Sequence, residues 1–223
     1  MISRNLKEGY FLLMRIPMAL NGTIYKHFRS PRTGPVKVHL GPGQTKYIAG
    51  WINLDANLIT ARLDVWADIR NGLPFRNNSV HAFYSYHVIE HLPDSFLFPH
   101  FREMFRCLKP GGLIRIGCPS GDAAIRKFIE GDAAWFGDWP DKRKSMGGRL
   151  ANFLLCRGEH QSILTYSYLE EIAAAAGFTD LTRCSPRFET SQAGLIDERV
   201  LQTEEDDARD PPMSLVIEAV KPK

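Results

Sequence analysis

Long apolar runs, paired cysteines, internal repeats and one-sided charge are all missing from this 223-residue sequence, and each absence removes a class of protein. The four cysteines, Cys107, Cys118, Cys156 and Cys184, lie far apart and contain no C-x-x-C pair. That argues against a disulfide framework or a zinc knuckle and leads us to expect reduced thiols in a cytoplasmic protein. Lysine plus arginine outnumber aspartate plus glutamate by only 28 to 25, too mild a balance to argue by itself for nucleic acid, so composition leaves the partner open; no nucleic-acid partner is expected on the motif grounds given below. The opening MISRNLKEGYFLLMRIPMAL has a basic start and a short apolar run. Arg15 and Pro17 interrupt that run well short of the roughly 20 residues that span a bilayer. No small-residue cleavage site follows it, so neither stable membrane insertion nor a signal peptide is expected. Two readings of this segment stay open: a leading helix packed on the domain, or an amphipathic helix touching a membrane surface.

What is present suits a single ordinary domain, with 44% hydrophobic residues to build one core. A Pro/Gly loop, FRSPRTGP over 28–35, separates the N-terminal helical extension (1–35) from the domain proper (36–223). Strands are expected at Val36–Leu40, Trp51–Asp55, ending near Ala67-Asp68-Ile69, at Val80–Tyr86, Leu113–Cys118, Phe178–Cys184 and Ser214–Val220. Between them, Phe101, Met104, Phe105 and Leu108 form a helical stripe, with Pro99 suited to a first helical position and Lys109-Pro110-Gly111-Gly112 as a stop. Ser167 and Glu170 read as a capping box ahead of Leu169, Ile172, Ala173 and Ala176, with Gly177 ending that helix. A polar excursion containing Glu204-Glu205-Asp206-Asp207 leads to the last strand. Strands alternating with helices predict an α/β fold with a mostly parallel sheet of seven strands and helices on both faces.

Ligands of such sheets bind beyond the carboxyl ends of the strands, near the point where strand order reverses. The first strand delivers Gly41-Pro42-Gly43, where the absence of a Cβ lets backbone amides approach a ligand. The second ends on Asp55, whose carboxylate can accept both hydroxyls of a ribose; the third reaches Asp68, able to accept from an adenine amino group, with Ile69 as an apolar wall. Tyr86, closing the fourth strand, completes this cofactor-contact set.

In these pieces the sequence resembles class I S-adenosylmethionine-dependent methyltransferases, especially short bacterial members often associated with cell-surface glycans. The resemblance rests on VKVHLGPG, GWINLD, ADIRNGLPFRNNSV, FYSYHVIEHL, FREMFRCLKPGGLIRIGCPS and LEEIAAAAGF, in family order over roughly 36–184. It implies a Rossmann-like fold, S-adenosylmethionine as cofactor, and methyl transfer to a small-molecule or glycan-type acceptor. His39 stands where the family usually carries an acidic residue that anchors the methionine end of the cofactor, and the segments between the first three strands are short.

Acceptor chemistry is read from three places. A hydroxyl acceptor needs a base, for which His87 and His160 are candidates, with Glu90 to orient or assist. Residues 121–161 hold Trp135, Phe136 and Trp139 beside Lys142, Arg143 and Lys144, with Arg149 and Arg157 farther on. They form either an acceptor lid for an anionic substrate or a core-packed segment with a solvated basic face. Base methylation is not expected: the Asp210-Pro211-Pro212-Met213 stretch precedes the last strand and lacks the aromatic of an amino-methylating tetrad. Rival classes remain. His87-Val88-Ile89-Glu90-His91 spells H-x-x-E-H, a zinc-hydrolase pattern that needs an uninterrupted helix, but Pro93 follows at once and no metal is expected. A nicotinamide enzyme would want an acidic residue about 20 positions beyond the glycines, whereas Asp55 follows Gly43 by 12. A binding module that has lost turnover would have no need of Gly41, Gly43, Asp55 and Asp68 together.

Overall fold

The seven runs rich in β-branched and aromatic residues form β1 (Lys37–Leu40), β2 (Ile52–Asp55), β3 (Val65–Trp66), β4 (Val80–Tyr86), β5 (Leu108–Pro119), β6 (Thr179–Cys184) and β7 (Ser214–Val220). They pair into one sheet in the order β3-β2-β1-β4-β5-β7-β6 in a computed structural model that describes residues 4–31, 33–205 and 207–223. Met1 to Ser3, Arg32 and Asp206, which the sequence reading put in the leading helix, the Pro/Gly loop and the acidic excursion, lie outside the described residues. The pairs from β3 through β5 are parallel, and β7 runs antiparallel to both β5 and β6. Strand order therefore reverses between β1 and β4, and that is where a ligand crevice opens.

One face of the sheet is covered by α2 (Asp94–Cys107) and α5 (Tyr166–Ala176). Leu97, Phe101 and Met104 from α2 and Leu169 and Ile172 from α5 meet Val38, Phe83, Ile114 and Ile217 in the largest core. The other face is covered by Ile48 and Trp51 from the loop after β1 and by Ile196 and Val200 around the short α6 (Glu198–Leu201), packed on Tyr84, Tyr86 and Val216. The segments joining β1 to β3 are too short for full helices, as the sequence spacing implied. Inside the sheet, Arg115 of β5 is fully buried and held at 2.7 Å by Glu204 and by Glu218.

Local boundaries correct several expectations. Pro99 lies inside α2 rather than at its first position, because Pro93 ends the preceding turn and the helix begins at Asp94. Lys109–Gly112 does not separate α2 from a later strand: β5 starts at Leu108, and these four residues bulge out where its register with β4 shifts between Val80 and Ala82. The cap of α5 is Thr165, whose side chain accepts from the Tyr168 N–H, so Ser167 and Glu170 make no capping box. Gly177 ends that helix at φ +103, as expected of a left-handed stop. The third strand ends at Trp66, because the Asp68 side chain already caps a single 3-10 turn over Ile69–Asn71.

The leading segment forms α1 (Arg4–Ile24). It is tied to the domain by Tyr10 Oη donating to the Ala56 carbonyl and Asn21 Nδ2 to the Trp66 carbonyl, both at 2.7 Å. Its outer side exposes Leu6, Leu13, Ile16 and Leu20. Among the described residues no helix is long and apolar enough to cross a membrane.

Candidate active site

At the switch point, Gly41 leaves β1 with φ +69 and its N–H bonded to the Leu54 carbonyl. A Cβ there would meet Val88 Cγ2 at 2.4 Å, so only glycine lets this turn lie against the turn that follows β4. Asp55 at the end of β2 accepts from the Gly43 N–H at 3.1 Å and from the Asn57 N–H at 2.8 Å. Beside these residues opens a cleft of about 610 Å³ lined by Gly41, Asp55, Asp68, Ile69, His87 and Val88. Glu8 and Phe11 of α1 close one side, and His91, Gly158, Glu159 and Gln161 the other.

Of the expected cofactor residues, Gly41, Asp55, Asp68 and Ile69 thus share one wall. Pro42 and Gly43 stand behind it: the Pro42 carbonyl accepts from Lys46, and the Gly43 N–H braces Asp55. Tyr86 is elsewhere. It is buried on the opposite face of the sheet, its ring packed over Gly117 and its hydroxyl donating to Ser214 Oγ at 3.0 Å. Strand alternation explains the outcome, since Tyr84 and Tyr86 share one face of β4 while Phe83 and Ser85 share the other. The Asp68 carboxylate is gripped by Arg70 through Nε at 3.0 Å and Nη2 at 2.7 Å, and that guanidinium lies over Phe11. His39 is buried off the cleft, against Tyr84 and at 3.1 Å from Asn53 Oδ1. Burial pulls its imidazole down to about 4, so the ring is neutral.

The H-x-x-E-H run does not form a helix. His87 sits at φ +55, and Ile89–His91 makes a separate 3-10 turn before Pro93, so the geometry of the hydrolase pattern is absent. His87 lies between Glu90 Oε1, 3.1 Å from its Nδ1, and Ser214 Oγ, 3.0 Å from its Nε2. Because a carboxylate only accepts, Nδ1 carries the proton and Nε2 the lone pair. Burial works to raise the Glu90 carboxyl, but the hydrogen bond from His87 and the neighbouring imidazoles outweigh it and hold Glu90 below the usual range. A residue at positive φ with both ring nitrogens engaged is held by its surroundings, as functional side chains commonly are. Glu90 and His160 do not line the cleft, but with His91 they form a group whose ligand atoms lie within 4.8 Å of one another. Spacing of 69 positions along the chain gave no signal for the His91–His160 meeting.

The segment over 121–161 folds as α3 (Gly121–Glu130) and α4 (Met146–Leu155), and only its far end reaches the cleft. Trp135 and Phe136 are buried in a small core with Ala123 and Ala124, and the Trp135 indole donates to the Pro211 carbonyl. They offer no stacking face; Trp139 alone of the three is exposed. Lys142 and Arg149 pair with Asp138, and Arg143 and Arg157 pair with Asp141. Burial of Trp135 and Phe136 favours the core-packed alternative for those two rings, and four of the five cations share the two aspartates.

Residues 52–116 match the sequence profile of a family described as a methyltransferase domain. No curated protein matches the chain. Among solved structures the fold is similar to a SAM-dependent methyltransferase from Archaeoglobus fulgidus, with TM-score 0.51, 14% identity, and coverage of 95% of this chain and 99% of that one. It is also similar to a SAM-dependent methyltransferase from Thermotoga maritima, with TM-score 0.51, 16% identity, and coverage of 97% and 95%. Phosphoethanolamine N-methyltransferase 2 of Haemonchus contortus, solved with S-adenosyl-L-methionine, gives TM-score 0.50 and 18% identity over 92% of this chain. The chain spans about half of that protein, 53%. At these identities the likeness is one of fold.

Proposed function

Taking the chain as a class I S-adenosylmethionine-dependent methyltransferase, we propose that it moves the sulfonium methyl group onto an oxygen of a small-molecule or glycan-type acceptor. The observation that carries this reading is the joint placement of Gly41, Asp55, Asp68, Ile69 and His87 on one cleft at the switch point. The residues fit the cofactor. Two of the roughly four lone-pair positions of Asp55 are used by Gly43 and Asn57, which leaves acceptor capacity for a ribose diol. Ile69 and Val88 supply apolar walls for an adenine, and Asp68 can accept from its amino group if Arg70 shares the carboxylate. His39 offers no carboxylate to the methionine end, so that contact must come from other wall groups.

Methyl transfer from a sulfonium is an in-line displacement in which the protein aligns acceptor and methyl and excludes water. In the proposed arrangement His87, which lines the cleft, turns its Nε2 from the buried Ser214 to an acceptor hydroxyl in the cleft. With S-adenosylmethionine bound, its sulfonium would supply the methyl group to that oxygen and depart as a neutral thioether, while His87 Nε2 takes up the acceptor's proton. Glu90 steadies the imidazolium. An anionic acceptor has less support, because four of the five cations named in the 121–161 segment already pair with Asp138 or Asp141. The Asp-Pro-Pro stretch ends against Trp135 rather than at the cleft, which favours a non-nucleic-acid acceptor. Incubation with methyl-labelled cofactor and fractionated glycans, lipids and small metabolites tests the reading: label in an alkali-stable ether of one fraction supports it, and label in none opposes it.

A further inference from the structure

We propose that Glu90, His91 and His160 form a binding site for one first-row divalent cation of the zinc type, with a coordination position open to the cleft. Their ligand atoms lie within 4.8 Å of one another. A four-coordinate zinc places its ligand atoms about 3.3 Å apart, so binding draws these side chains inward by an ångström or so.

The tautomers are already set for it. His91 Nδ1 is 3.0 Å from the Glu159 carbonyl and His160 Nδ1 is 3.1 Å from the Leu154 carbonyl. A carbonyl oxygen only accepts, so each Nδ1 carries the proton and each Nε2 keeps its lone pair, as in metal-bound histidines steadied by an outer carbonyl. Glu90 is 1% exposed, and although its Oε1 meets His87, its buried Oε2 makes no hydrogen bond among the described residues. A buried carboxylate oxygen without a partner is costly, and a cation beside two neutral imidazoles answers that cost.

The two segments are also locked together before any metal arrives. The Gln161 and Ser162 N–H groups both donate to the Glu90 carbonyl, Gln161 Nε2 donates to the His91 carbonyl, and Ser162 Oγ to the Leu92 carbonyl. Two imidazoles and one carboxylate select zinc, iron(II) or cobalt(II) over calcium or magnesium, and three protein ligands leave a further position. His91 lines the cleft, so that position faces the acceptor side. Resting on the methyl-transfer reading, an acceptor hydroxyl coordinated there would lose its proton to His87 more readily. This departs from the sequence expectation of no metal, and it pairs His91 with His160 where the H-x-x-E-H pattern would pair it with His87.

The test is binding, not turnover. Chelator-stripped protein is titrated with zinc chloride by calorimetry and with cobalt(II) chloride by visible absorption. One equivalent should bind, cobalt should show the d–d bands of a four- or five-coordinate nitrogen–oxygen site, and His160→Ala and Glu90→Gln should each weaken binding by about 100-fold or more. His87→Ala should keep one equivalent. His160→Gln, with circular dichroism melts of every variant, guards against a folding defect being read as a lost ligand. Less than stoichiometric binding, or binding that survives loss of His160, would overturn the proposal, as would binding lost with His87. S-adenosylhomocysteine titrated into the same stripped protein separates the two readings: it reports on the cofactor cleft whether or not a metal binds.

Discussion

The Asp55 carboxylate closes the glycine turn onto the end of β2, accepting the Gly43 N–H at 3.1 Å from the outside of the cleft it lines. The same group therefore shapes the turn and faces the cleft. Replacing it with alanine removes an acceptor for the ribose and loosens the turn, at a cost of about 1–3 kcal/mol of cofactor binding. Calorimetry with S-adenosylhomocysteine reads this directly; unchanged affinity would remove Asp55 from the site.

Gly41→Ala should be among the most damaging single-methyl changes in the chain. The alanine would sit at φ +69, costing about 1–2 kcal/mol, and its Cβ would meet Val88 Cγ2 at 2.4 Å. Adding Val88→Ala should restore part of the lost melting temperature, the part due to the clash. If the double variant is no more stable than the single one, the close approach is not the cause.

If His87 is the base, as proposed, His87→Asn, which tolerates the same positive φ, should lower kcat by about 100- to 10,000-fold while leaving cofactor affinity nearly unchanged. Ser214→Ala frees Nε2 without removing it and should retain most activity. A His87→Asn enzyme with near-native kcat would show that the imidazole is structural.

Arg115 tests the interior of the sheet. Arg115→Met leaves the Glu204 and Glu218 carboxylates buried without a counter-charge, a loss of about 3–5 kcal/mol. Changing Glu204 and Glu218 to Gln in the same chain should recover much of it. Denaturant melts measure both, and a single variant as stable as wild type would mean that water reaches the pair.

Acid should destabilise the chain partly through His39. Its folded value of about 4 lies below the ordinary 6.5, so on acidification the unfolded chain takes up this proton first. Stability from this group is full above about pH 6.5, falls as pH drops toward about 4, and levels off below, a loss of up to about 3 kcal/mol. His39→Gln removes the titration, so its stability profile should fall less steeply through that window. Parallel profiles would contradict the assignment.

How far the sequence alone could go depended on whether a residue acts through its own strand or through a distant partner. The bounds of β4 and β7 were legible because aromatic and β-branched residues crowd those runs. That Gly41, Asp55, Asp68 and Ile69 line one cleft was legible because strand ends of a parallel sheet converge on one edge. Tyr86 was misplaced because period-two alternation turns it to the other face. Glu204 looked like part of a solvated acidic run, yet it is buried, since its partner Arg115 lies 89 positions away on β5. Trp135 and Phe136 show the same limit: composition supplies aromatic rings but does not say whether they face a ligand or a core.

The central claim is that this cleft binds S-adenosylmethionine and spends its methyl group. Methyl-labelled cofactor, incubated with the wild-type chain and with Asp55→Ala in the presence of fractionated acceptors, measures both parts together. The account predicts saturable binding by wild type, labelled acceptor with one demethylated cofactor released per methyl transferred, and in the variant a half-saturating cofactor concentration raised by about 5- to 150-fold. Wild-type protein that neither binds S-adenosylmethionine nor S-adenosylhomocysteine at millimolar concentration would contradict it.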